Sequence, residues 1–353
     1  MKKVQSLVVL LVVVAGIMSM PVYATEEVKR TVFKSFNVSD GDLLDINTTF
    51  GNVKIVEWNK SEVSFNVEII GRAQTVKDAE KQLERATLDI DKKGNKVSAR
   101  TKIAPSYSNC NNNNCGVTVN YIINAPSSLY MNFLLKYCDL SVDKTVLDFK
   151  ADIQFGDLKT GTLSGKNNSI KIKYGDVDMN NVTDLSMEIA FGDINISKVE
   201  NLNLTSSYSD SKIGEAGNIS ATFRFGNAKI QKVNKMDAST NYAGITISEL
   251  LKCLNMPEVK FGGLVIEKVS ADFDFIRANA SYSGVDISVG KGCSFTTKLE
   301  TSYATISTNN LSFSNKESNK ENTFFVGTAG NSSNPKSRIE ISNRFGNISI
   351  KEQ

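Results

Sequence analysis

Five aspartates at equivalent positions of a repeated phrase are the residues of this sequence that could do chemistry. Each phrase consists of an aromatic residue, a small residue, a third residue that is usually an acid or amide, and two apolar residues that are separated by one position. Phe191-Gly192-Asp193-Ile194, followed by Ile196, is an example. The five acids are Asp139, Asp157, Asp176, Asp193 and Asp210. Carboxylates at a repeated spacing suit calcium, so these five are the candidate metal ligands. The sequence favours a second interpretation, in which each one satisfies backbone amides of a turn.

A catalytic site is not expected. The sequence contains no histidine, which removes the commonest general base and the Ser–His and Cys–His pairs of nucleophilic enzymes. The enzyme alternative is a polysaccharide-active β-helix protein, which would use acidic metal ligands and an Arg or Lys base. Lysines and arginines are scattered along this chain and form no repeated cluster with acids. We therefore predict a non-enzymatic protein without a cofactor.

The cysteines divide into a close pair and three single residues. Cys110 and Cys115 frame four asparagines, a spacing that predicts a small disulfide loop in an oxidising compartment. Two free thiols are the alternative, and a zinc site is disfavoured because the chain has no histidine and no second cysteine pair. Cys138, Cys253 and Cys293 lie in strand-like segments and are predicted to be buried and free.

The repeated phrase predicts a structural corner. Its phenylalanine form occurs at Phe50-Gly51, Phe155-Gly156, Phe191-Gly192, Phe225-Gly226, Phe261-Gly262 and Phe345-Gly346. Its tyrosine form begins at Tyr137, Tyr174, Tyr208, Tyr242, Tyr282 and Tyr303. From the first to the last of these tyrosines the phrase recurs every 17 to 21 residues. A period of this length is typical of a stacked repeat protein.

The apolar pattern changes parity at each corner. From Leu185 to Phe191 apolar residues occupy odd positions, and beyond Gly192-Asp193 they resume at the even positions of Ile194 and Ile196. A strand alternates faces with period two, so an extra residue is inserted where Gly can take a positive φ and Asp can close the turn. The aromatic residue is the last of the inward-facing positions of its strand. This parity predicts that the rings form ladders in the core and are not exposed platforms for sugars.

Strands of this length bury their apolar faces only by stacking on neighbouring repeats, so we predict an all-β, single-stranded β-helix or solenoid. The Phe and Tyr corners alternate along most of the chain. If all corners shared one edge, the aspartates would stack at about 4.8 Å, where like charges are destabilising. We therefore favour half-repeats of 17–21 residues within a coil of 34–36 residues, with Phe corners on one edge and Tyr corners on the other. A coil of 17–21 residues is the alternative.

Three regions are expected along the chain: a signal peptide over 1–24, an amino-terminal region over 25–130 and β-helix repeats over 131–353. The amino-terminal region reads as strands with one amphipathic helix over about 75–87, which we expect to cap the open end of the solenoid. Thr75 with Asp78 is a capping-box-like start for that helix. Its apolar stripe is Val76, Ala79, Leu83 and Ala86.

The first residues predict export. Lys2 and Lys3 precede an apolar run that is too short to span a bilayer, and Val22 and Ala24 suit signal peptidase, with cleavage after Ala24. Cleavage leaves 39 basic and 38 acidic residues, a net charge of +1. A surface this close to neutral gives no field for nucleic acid. We expect an exported protein, periplasmic, on the outer surface or extracellular, with no membrane anchor in the mature chain.

Motifs near the amino terminus resemble those of a known family. Val53-Lys54-Ile55-Val56-Glu57-Trp58 follows the Phe50-Gly51-Asn52 corner, and Ser61-Glu62-Val63, a helix and further strands come after it. Together with the later Phe-Gly-Asp and Tyr-Ser-Gly repeats, this resembles the bacterial putative adhesin family of unknown function. That family is frequent in Bacteroidetes and similar to the head domain of autotransporter adhesins. The resemblance implies a β-helical fold and offers no catalytic or binding residues.

Two functions are therefore expected of this chain. The first is an adhesin-like surface or secreted binding module, with a cell-surface glycan or protein as its ligand. The second is a periplasmic accessory protein in envelope-stress signalling or cell-envelope maintenance. The outward-facing polar residues of the strands would form the binding surface, because the aromatic rings are assigned to the core.

Overall fold

The computed structural model describes residues 25–105, 115–309, 311, 315–318, 321–330, 332 and 334–352. Strands contain 73% of the described residues and join into one 24-stranded sheet, and one helix accompanies them. The all-β prediction is confirmed at this level. The predicted signal peptide over 1–24 and Cys110 lie outside the described residues, so the signal peptide and the Cys110–Cys115 pairing stay predictions.

The amino-terminal region pairs its strands mostly antiparallel. Its elements are β1 (Glu26–Asn37), β2 (Leu43–Glu57), β3 (Glu62–Ala73), α1 (Val76–Glu84), β4 (Ala86–Lys93), β5 (Lys96–Ile103) and β6 (Gly116–Ala125). Strand β3 lies antiparallel between β1 and β6, and β4 pairs antiparallel with β5. Strand β2 differs, because it pairs parallel with β5 and β6 along one edge.

The helix begins where the sequence predicts and ends earlier. Thr75 is extended and its hydroxyl oxygen accepts the Asp78 amide at 3.2 Å, while the same hydroxyl donates to the Asp78 carboxylate at 2.8 Å. The helix lies against β3 so closely that a Cβ on Gly71 would stand 2.1 Å from the Ala79 carbonyl oxygen. It ends at Glu84 because Ala86 already begins β4. Val76, assigned to the apolar stripe, is 53% exposed.

The strand pairing does not support the expected role of the helix as a cap for the stack of repeats. The first strand of the repeat stack, β2, has its outer backbone edge hydrogen-bonded to β5 and β6. Those two strands, rather than α1, satisfy the edge that the sequence analysis assigned to the helix. The helix instead covers part of β3, through contacts that Gly71 permits.

Parallel strands form the rest of the chain up to Val289. They are β7 (Tyr130–Thr145), β8 (Phe149–Gln154), β9 (Leu158–Leu163), β10 (Asn168–Lys173), β11 (Val177–Ala190), β12 (Ile194–Ser207), β13 (Ser211–Arg224), β14 (Ala228–Asn241), β15 (Gly244–Lys260), β16 (Gly263–Val269), β17 (Phe275–Ser281) and β18 (Gly284–Val289). Strand β7 continues the stack directly from β2.

The pairing register corrects the predicted repeat length. Ile194 of β12 lies beside Val177 of β11 on one side and Ser211 of β13 on the other, 17 residues away in each direction. Neighbouring strands are thus one phrase apart, so the 17–21-residue unit is a whole repeat and not half of a 34–36-residue coil. All corners consequently share one edge, and the Phe and Tyr corners follow each other along it.

Within one repeat the buried positions change parity twice more. In β12 the buried side chains are Ile194, Ile196, Val199, Leu202, Leu204 and Ser206. The steps of three between Ile196, Val199 and Leu202 mark two further bends, at which the inward parity of the strand changes. The buried hydrophobic side chains of these strands belong to one core cluster, whose members run from Val38 to Ile350.

The carboxyl-terminal strands are out of sequence order. They are β19 (Phe295–Ser302), β20 (Ile306–Asn309), β21 (Asn315–Ser318), β22 (Asn322–Ala329), β23 (Ser337–Arg344) and β24 (Ile348–Glu352). Strand β23 lies parallel between β17 and β19, and β24 lies between β18 and β20. The last repeat of the chain is therefore inserted between the two repeats that precede it, and β22 pairs antiparallel with β19 on its other edge.

Contacts on both sides hold this inserted repeat. Arg277 of β17 donates two hydrogen bonds to one carboxylate oxygen of Glu340, at 2.8 and 3.0 Å. The buried Asn343 side chain donates to the Ser283 carbonyl at 2.8 Å, and the Thr301 hydroxyl donates to the Gly346 carbonyl at 3.0 Å. The insertion is thus fastened to the repeat before it and to the repeat after it.

Replacing Thr75 by Ala tests the helix start. Thr75→Ala removes the acceptor of the Asp78 amide and should lower the free energy of unfolding by about 1 kcal/mol. Urea unfolding followed by circular dichroism measures the change. Thr75→Ser keeps the hydroxyl and is the control, for which a loss as large as that of Thr75→Ala would contradict the capping role.

Candidate functional site: an external aromatic ridge

The aromatic residue of every corner has a left-handed backbone conformation. Among the residues that the structure describes, twelve that are not glycine have positive φ, between 50° and 61°, and they are the corner aromatics Phe50, Tyr137, Phe155, Tyr174, Phe191, Tyr208, Phe225, Tyr242, Phe261, Tyr282, Tyr303 and Phe345. This conformation costs an L-residue roughly 1–2 kcal/mol. Bulky side chains adopt it rarely, so its recurrence at one position of every repeat requires a compensating interaction.

The rings point outward, and the prediction of core ladders is wrong. Their exposed fractions run from 37% for Phe345 to 54% for Tyr282 and Tyr303. The buried alternation ends two residues before each ring, at Ile189 before Phe191 for example. At positive φ the chain turns at the aromatic residue itself, so the parity of the preceding strand no longer applies to its side chain.

Face-to-face stacking joins the twelve rings into one external row, which we call the aromatic ridge. Consecutive ring centroids are 4.7–5.2 Å apart and the ring planes differ by at most 19°. This spacing matches the distance between neighbouring strands. Each stacked pair contributes about 0.5–1.5 kcal/mol beyond its buried area, which offsets much of the cost of the left-handed corners.

Phe and Tyr alternate strictly along the ridge, although they do not alternate throughout the sequence. Tyr282 and Tyr303 are consecutive corners in the chain. In space Phe345 stacks between them, at 4.9 Å from Tyr282 and 5.1 Å from Tyr303. The inserted carboxyl-terminal repeat therefore restores the order Phe, Tyr, Phe, Tyr from Phe50 to the other end.

Glycine follows the Phe corners because the backbones of adjacent repeats come very close there. A Cβ on Gly192 would lie 1.9 Å from the Gly175 carbonyl oxygen, and one on Gly262 would lie 2.1 Å from the Ala243 carbonyl oxygen. The sequence analysis assigned glycine to this position for its positive φ. The positive φ instead belongs to the aromatic residue, and glycine is needed for lack of space.

At two Tyr corners a serine after the ring adds a hydrogen bond between repeats. Ser209 and Ser283 accept the amides of Gly192 and Gly262 at 3.3 and 3.2 Å. Each serine hydroxyl also donates to the carbonyl two residues before it, at 3.0 and 2.9 Å. At these two places a Phe-Gly corner thus donates its amide to the Tyr corner of the next repeat.

The five candidate aspartates form a second row beside the ridge, which we call the aspartate row. Each carboxylate accepts the backbone amide of the equivalent residue in the next repeat: Asp157 to Asp139 at 2.9 Å, Asp176 to Asp157 at 2.8 Å, Asp193 to Asp176 at 2.8 Å, Asp210 to Asp193 at 3.3 Å and Asn227 to Asp210 at 2.8 Å. All five side chains are exposed. They also line an open groove of about 710 Å³, with Lys54, Lys159 and Lys212 on its far side.

The residue types present do not assemble into a metal site in the part of the chain that the structure describes. No group of three or more His, Cys, Asp or Glu residues is arranged there to hold an ion. Calcium binding by the aspartate row, the less favoured of the two interpretations in the sequence analysis, gains no support from this arrangement and stays untested.

A row of basic residues lies on the opposite side of the ridge, and the sequence analysis missed it. Lys136, Lys173, Arg224, Lys260 and Arg344 each precede a corner aromatic and are exposed. Three of them, Lys136, Lys173 and Arg344, place their charge 5.0–5.4 Å from the centroid of the following ring. We call the five residues the basic row. Their position directly before the aromatic is the signal that sequence reasoning could have used.

The three single cysteines are free. Cys138 and Cys293 are buried, as predicted, whereas Cys253 is only half-buried. Burial raises the pKa of the Cys138 thiol to about 11. Cys115 is disulfide-bonded, and its predicted partner is outside the described residues.

Comparison with known proteins gives structural likeness only. No protein-family model and no curated protein matches the chain. A solved structure from Clostridium sporogenes, described as a "putative cell adhesion protein", is 11% identical with a TM-score of 0.23 over 92% of this chain and 100% of that one. A structure from Parabacteroides merdae, described as a "putative adhesin", is 13% identical with a TM-score of 0.35 over 67% of this chain and 96% of that one. Another "putative adhesin", from Bacteroides fragilis, is 12% identical with a TM-score of 0.31 over 91% of this chain and 97% of that one. A further structure, from Parabacteroides distasonis, is described as a "putative lipid binding protein".

The first three descriptions use the same words, adhesin or cell adhesion, as the family that the corner motifs resemble. Likeness at this level of identity and TM-score carries no conclusion about function. Within the described residues, no helix has the length and apolar character needed to cross a membrane.

Adjacent glycines provide a matched test of the close approach at the corners. Gly262→Ala places a methyl group 2.1 Å from the Ala243 carbonyl oxygen and should lower the free energy of unfolding by about 3 kcal/mol. Gly263→Ala, one residue further on, meets nothing nearer than 3.8 Å and should change it by less than about 0.5 kcal/mol. Thermal and urea unfolding measure both, and equal losses would contradict the argument.

Charge and hydrogen bonding in the aspartate row can be separated at Asp176. Asp176→Asn keeps an oxygen acceptor for the Asp193 amide, as Asn227 does for Gly244 at 3.2 Å, and removes one of the stacked charges. It should stabilise the protein by about 0.5 kcal/mol at low salt and less at high salt. Asp176→Ala loses the acceptor as well and should be the less stable variant by about 1 kcal/mol. Denaturation midpoints at two salt concentrations decide, and the reverse order would refute the account.

Proposed function

We propose that this protein is an exported, non-enzymatic, adhesin-like binding module of β-helical form, and that the aromatic ridge is its binding surface. The observation that carries the proposal is the size of the apolar surface that the ridge exposes. Twelve rings that are 37–54% exposed leave roughly 1,000 Å² of contiguous apolar surface in contact with water. The largest such patch on a typical monomer is about 300–600 Å², and larger ones mark interaction sites.

The scaffold supports a binding role because it holds the ridge rigidly. Each ring stacks on its neighbours, and each corner is tied to the next repeat by a backbone hydrogen bond, such as the Phe191 amide to the Ser207 carbonyl at 3.2 Å. A surface that is ordered before binding loses little conformational entropy when it binds. The rigid ridge therefore suits recognition of another surface.

A protein ligand fits the ridge better than a glycan does. Sugars stack on the faces of aromatic rings, but the faces of the inner rings lie 4.7–5.2 Å from neighbouring rings and are covered. Only ring edges and tyrosine hydroxyl groups face outward along most of the ridge. Aromatic residues and arginine are enriched at protein interfaces, and the ridge combines its rings with Arg224 and Arg344.

Cell adhesion tests this proposal. Beads coated with the mature chain should bind cells of the producing bacterium or of its host. The double variant Tyr174→Asn/Tyr208→Asn removes two rings and keeps a residue type that tolerates positive φ, and it should reduce binding at least fivefold. Leu134→Asn is the matched control, because Leu134 is 48% exposed and is not one of the stacked rings, and binding by this variant should be unchanged.

Two outcomes would overturn the proposal. The first is equal binding by the ridge variant and the parent chain, with circular dichroism showing that both are folded. The second concerns location: protease added to intact cells should cleave an exposed adhesin. Protection of the chain until the envelope is opened would favour the periplasmic role instead.

A further inference from the structure

We propose that the ligand of the aromatic ridge is the aromatic ridge of a second copy of this chain, in a dimer whose two-fold axis runs along the stack of repeats. This inference rests on the proposed function only in that the ridge is taken as the binding surface. It adds the identity of the partner and the orientation in which the partner binds.

The size of the ridge is sufficient for a stable dimer. Eleven stacking steps of 4.7–5.2 Å make the ridge roughly 50 Å long, about the span of a row of twelve strands. If two ridges cover half or more of each other's exposed ring surface, the pair buries roughly 1,000–2,000 Å² in total. That range reaches the standard size of a specific protein interface, about 1,200–2,000 Å².

The charges beside the ridge favour one orientation. The basic row lies on one side of the rings and the aspartate row on the other. A two-fold axis parallel to the stack exchanges left and right between facing copies, so the side of each copy that carries the basic row lies over the side of the other copy that carries the aspartate row. A two-fold axis across the stack would instead place the basic row over the basic row, which like charges oppose.

At two repeats the heights of the opposite charges also match in the parallel arrangement, whereas the basic residues of the later repeats face Asn227, Gly263 and Asn347. Lys136 and Asp139 belong to the same corner, and so do Lys173 and Asp176. With the axis along the stack, equivalent repeats lie at the same height, so Lys173 of one copy faces Asp176 of the other. Both side chains of that pair are exposed. Lys173 lies over the Tyr174 ring, and only the Oδ1 atom of Asp176 accepts the Asp193 amide, which leaves its Oδ2 atom for a partner. The tyrosine hydroxyls of the two ridges also meet at equal heights, where they can donate to one another.

Sedimentation of the purified mature chain tests the pairing. We expect a concentration-dependent dimer that Tyr174→Asn/Tyr208→Asn converts to a monomer and that Leu134→Asn leaves intact. Lys173→Glu reverses a charge beside the ridge and should weaken the dimer at least tenfold. Lys171→Glu makes the same change two residues earlier, where Lys171 pairs with Glu188 at 3.3 Å, and should leave dimer affinity within twofold.

Disulfide trapping tests the orientation. In a Cys253→Ser background, Tyr137→Cys and Tyr282→Cys each place one thiol near opposite ends of the ridge. With the axis along the stack, each variant alone should form a cross-linked dimer through its own equivalent residue. Cross-linking only when the two variants are mixed would show the antiparallel dimer and overturn the proposed orientation.

The self-pairing proposal and the adhesin proposal can be refuted separately. A chain that stays monomeric at every concentration, while its beads still bind cells through the ridge, would overturn the self-pairing and leave the adhesin proposal standing. A dimer that depends on the ridge, without any cell binding, would support the self-pairing and remove the adhesin role. Dimerisation that persists in the Tyr174→Asn/Tyr208→Asn variant would place the contact elsewhere and refute the inference.

Discussion

The close approach of neighbouring backbones at the corner is the constraint on which the rest of this structure depends. At a Phe-Gly corner the glycine Cα stands where any Cβ would meet the carbonyl oxygen of the adjacent repeat, about 2 Å away at Gly192 or Gly262. The chain therefore turns one residue earlier, and the aromatic residue takes the left-handed conformation. Because the turn directs each ring outward at the strand spacing, the rings stack in register. The stacking energy in turn offsets part of the backbone strain.

The same corner explains how like charges are tolerated in adjacent repeats. Repulsion within the aspartate row was the reason for expecting corners on two edges, yet the register places them all on one. Each carboxylate receives a backbone amide from the next repeat, as Asp157 does from Asp176 at 2.8 Å, and each remains in contact with water. The hydrogen bond that each side-chain oxygen accepts outweighs the repulsion between neighbouring carboxylates, which water and salt screen. Exposure, which sequence alone did not indicate, decides which effect is larger.

The carboxyl-terminal insertion shows that the repeat order is set by side-chain compatibility as well as by chain order. Phe345-Gly346 lies between two Tyr corners, where Gly346 approaches the Ser283 carbonyl oxygen so closely that a Cβ would be 2.0 Å from it. Placed in sequence order, the repeats of Tyr282 and Tyr303 would be neighbours and two Tyr corners would meet. Insertion restores a Phe-Gly corner beside each Tyr corner, at the expense of a longer connection through β21 and β22.

Local patterns in the sequence determined the elements of this protein: the strands, the corner positions, the 17–21-residue period and the helix that begins at Thr75. They did so because alternation, glycine placement and capping act over a few residues. Only the tertiary structure decided the length of the repeat, the place of the last repeat and the outward direction of the rings. Those properties depend on which backbones lie side by side. The same periodic sequence pattern fits an aromatic residue that ends a buried strand and one that begins an exposed corner. The two structures differ in a single φ angle of about 55° at the aromatic residue, which contact between repeats imposes.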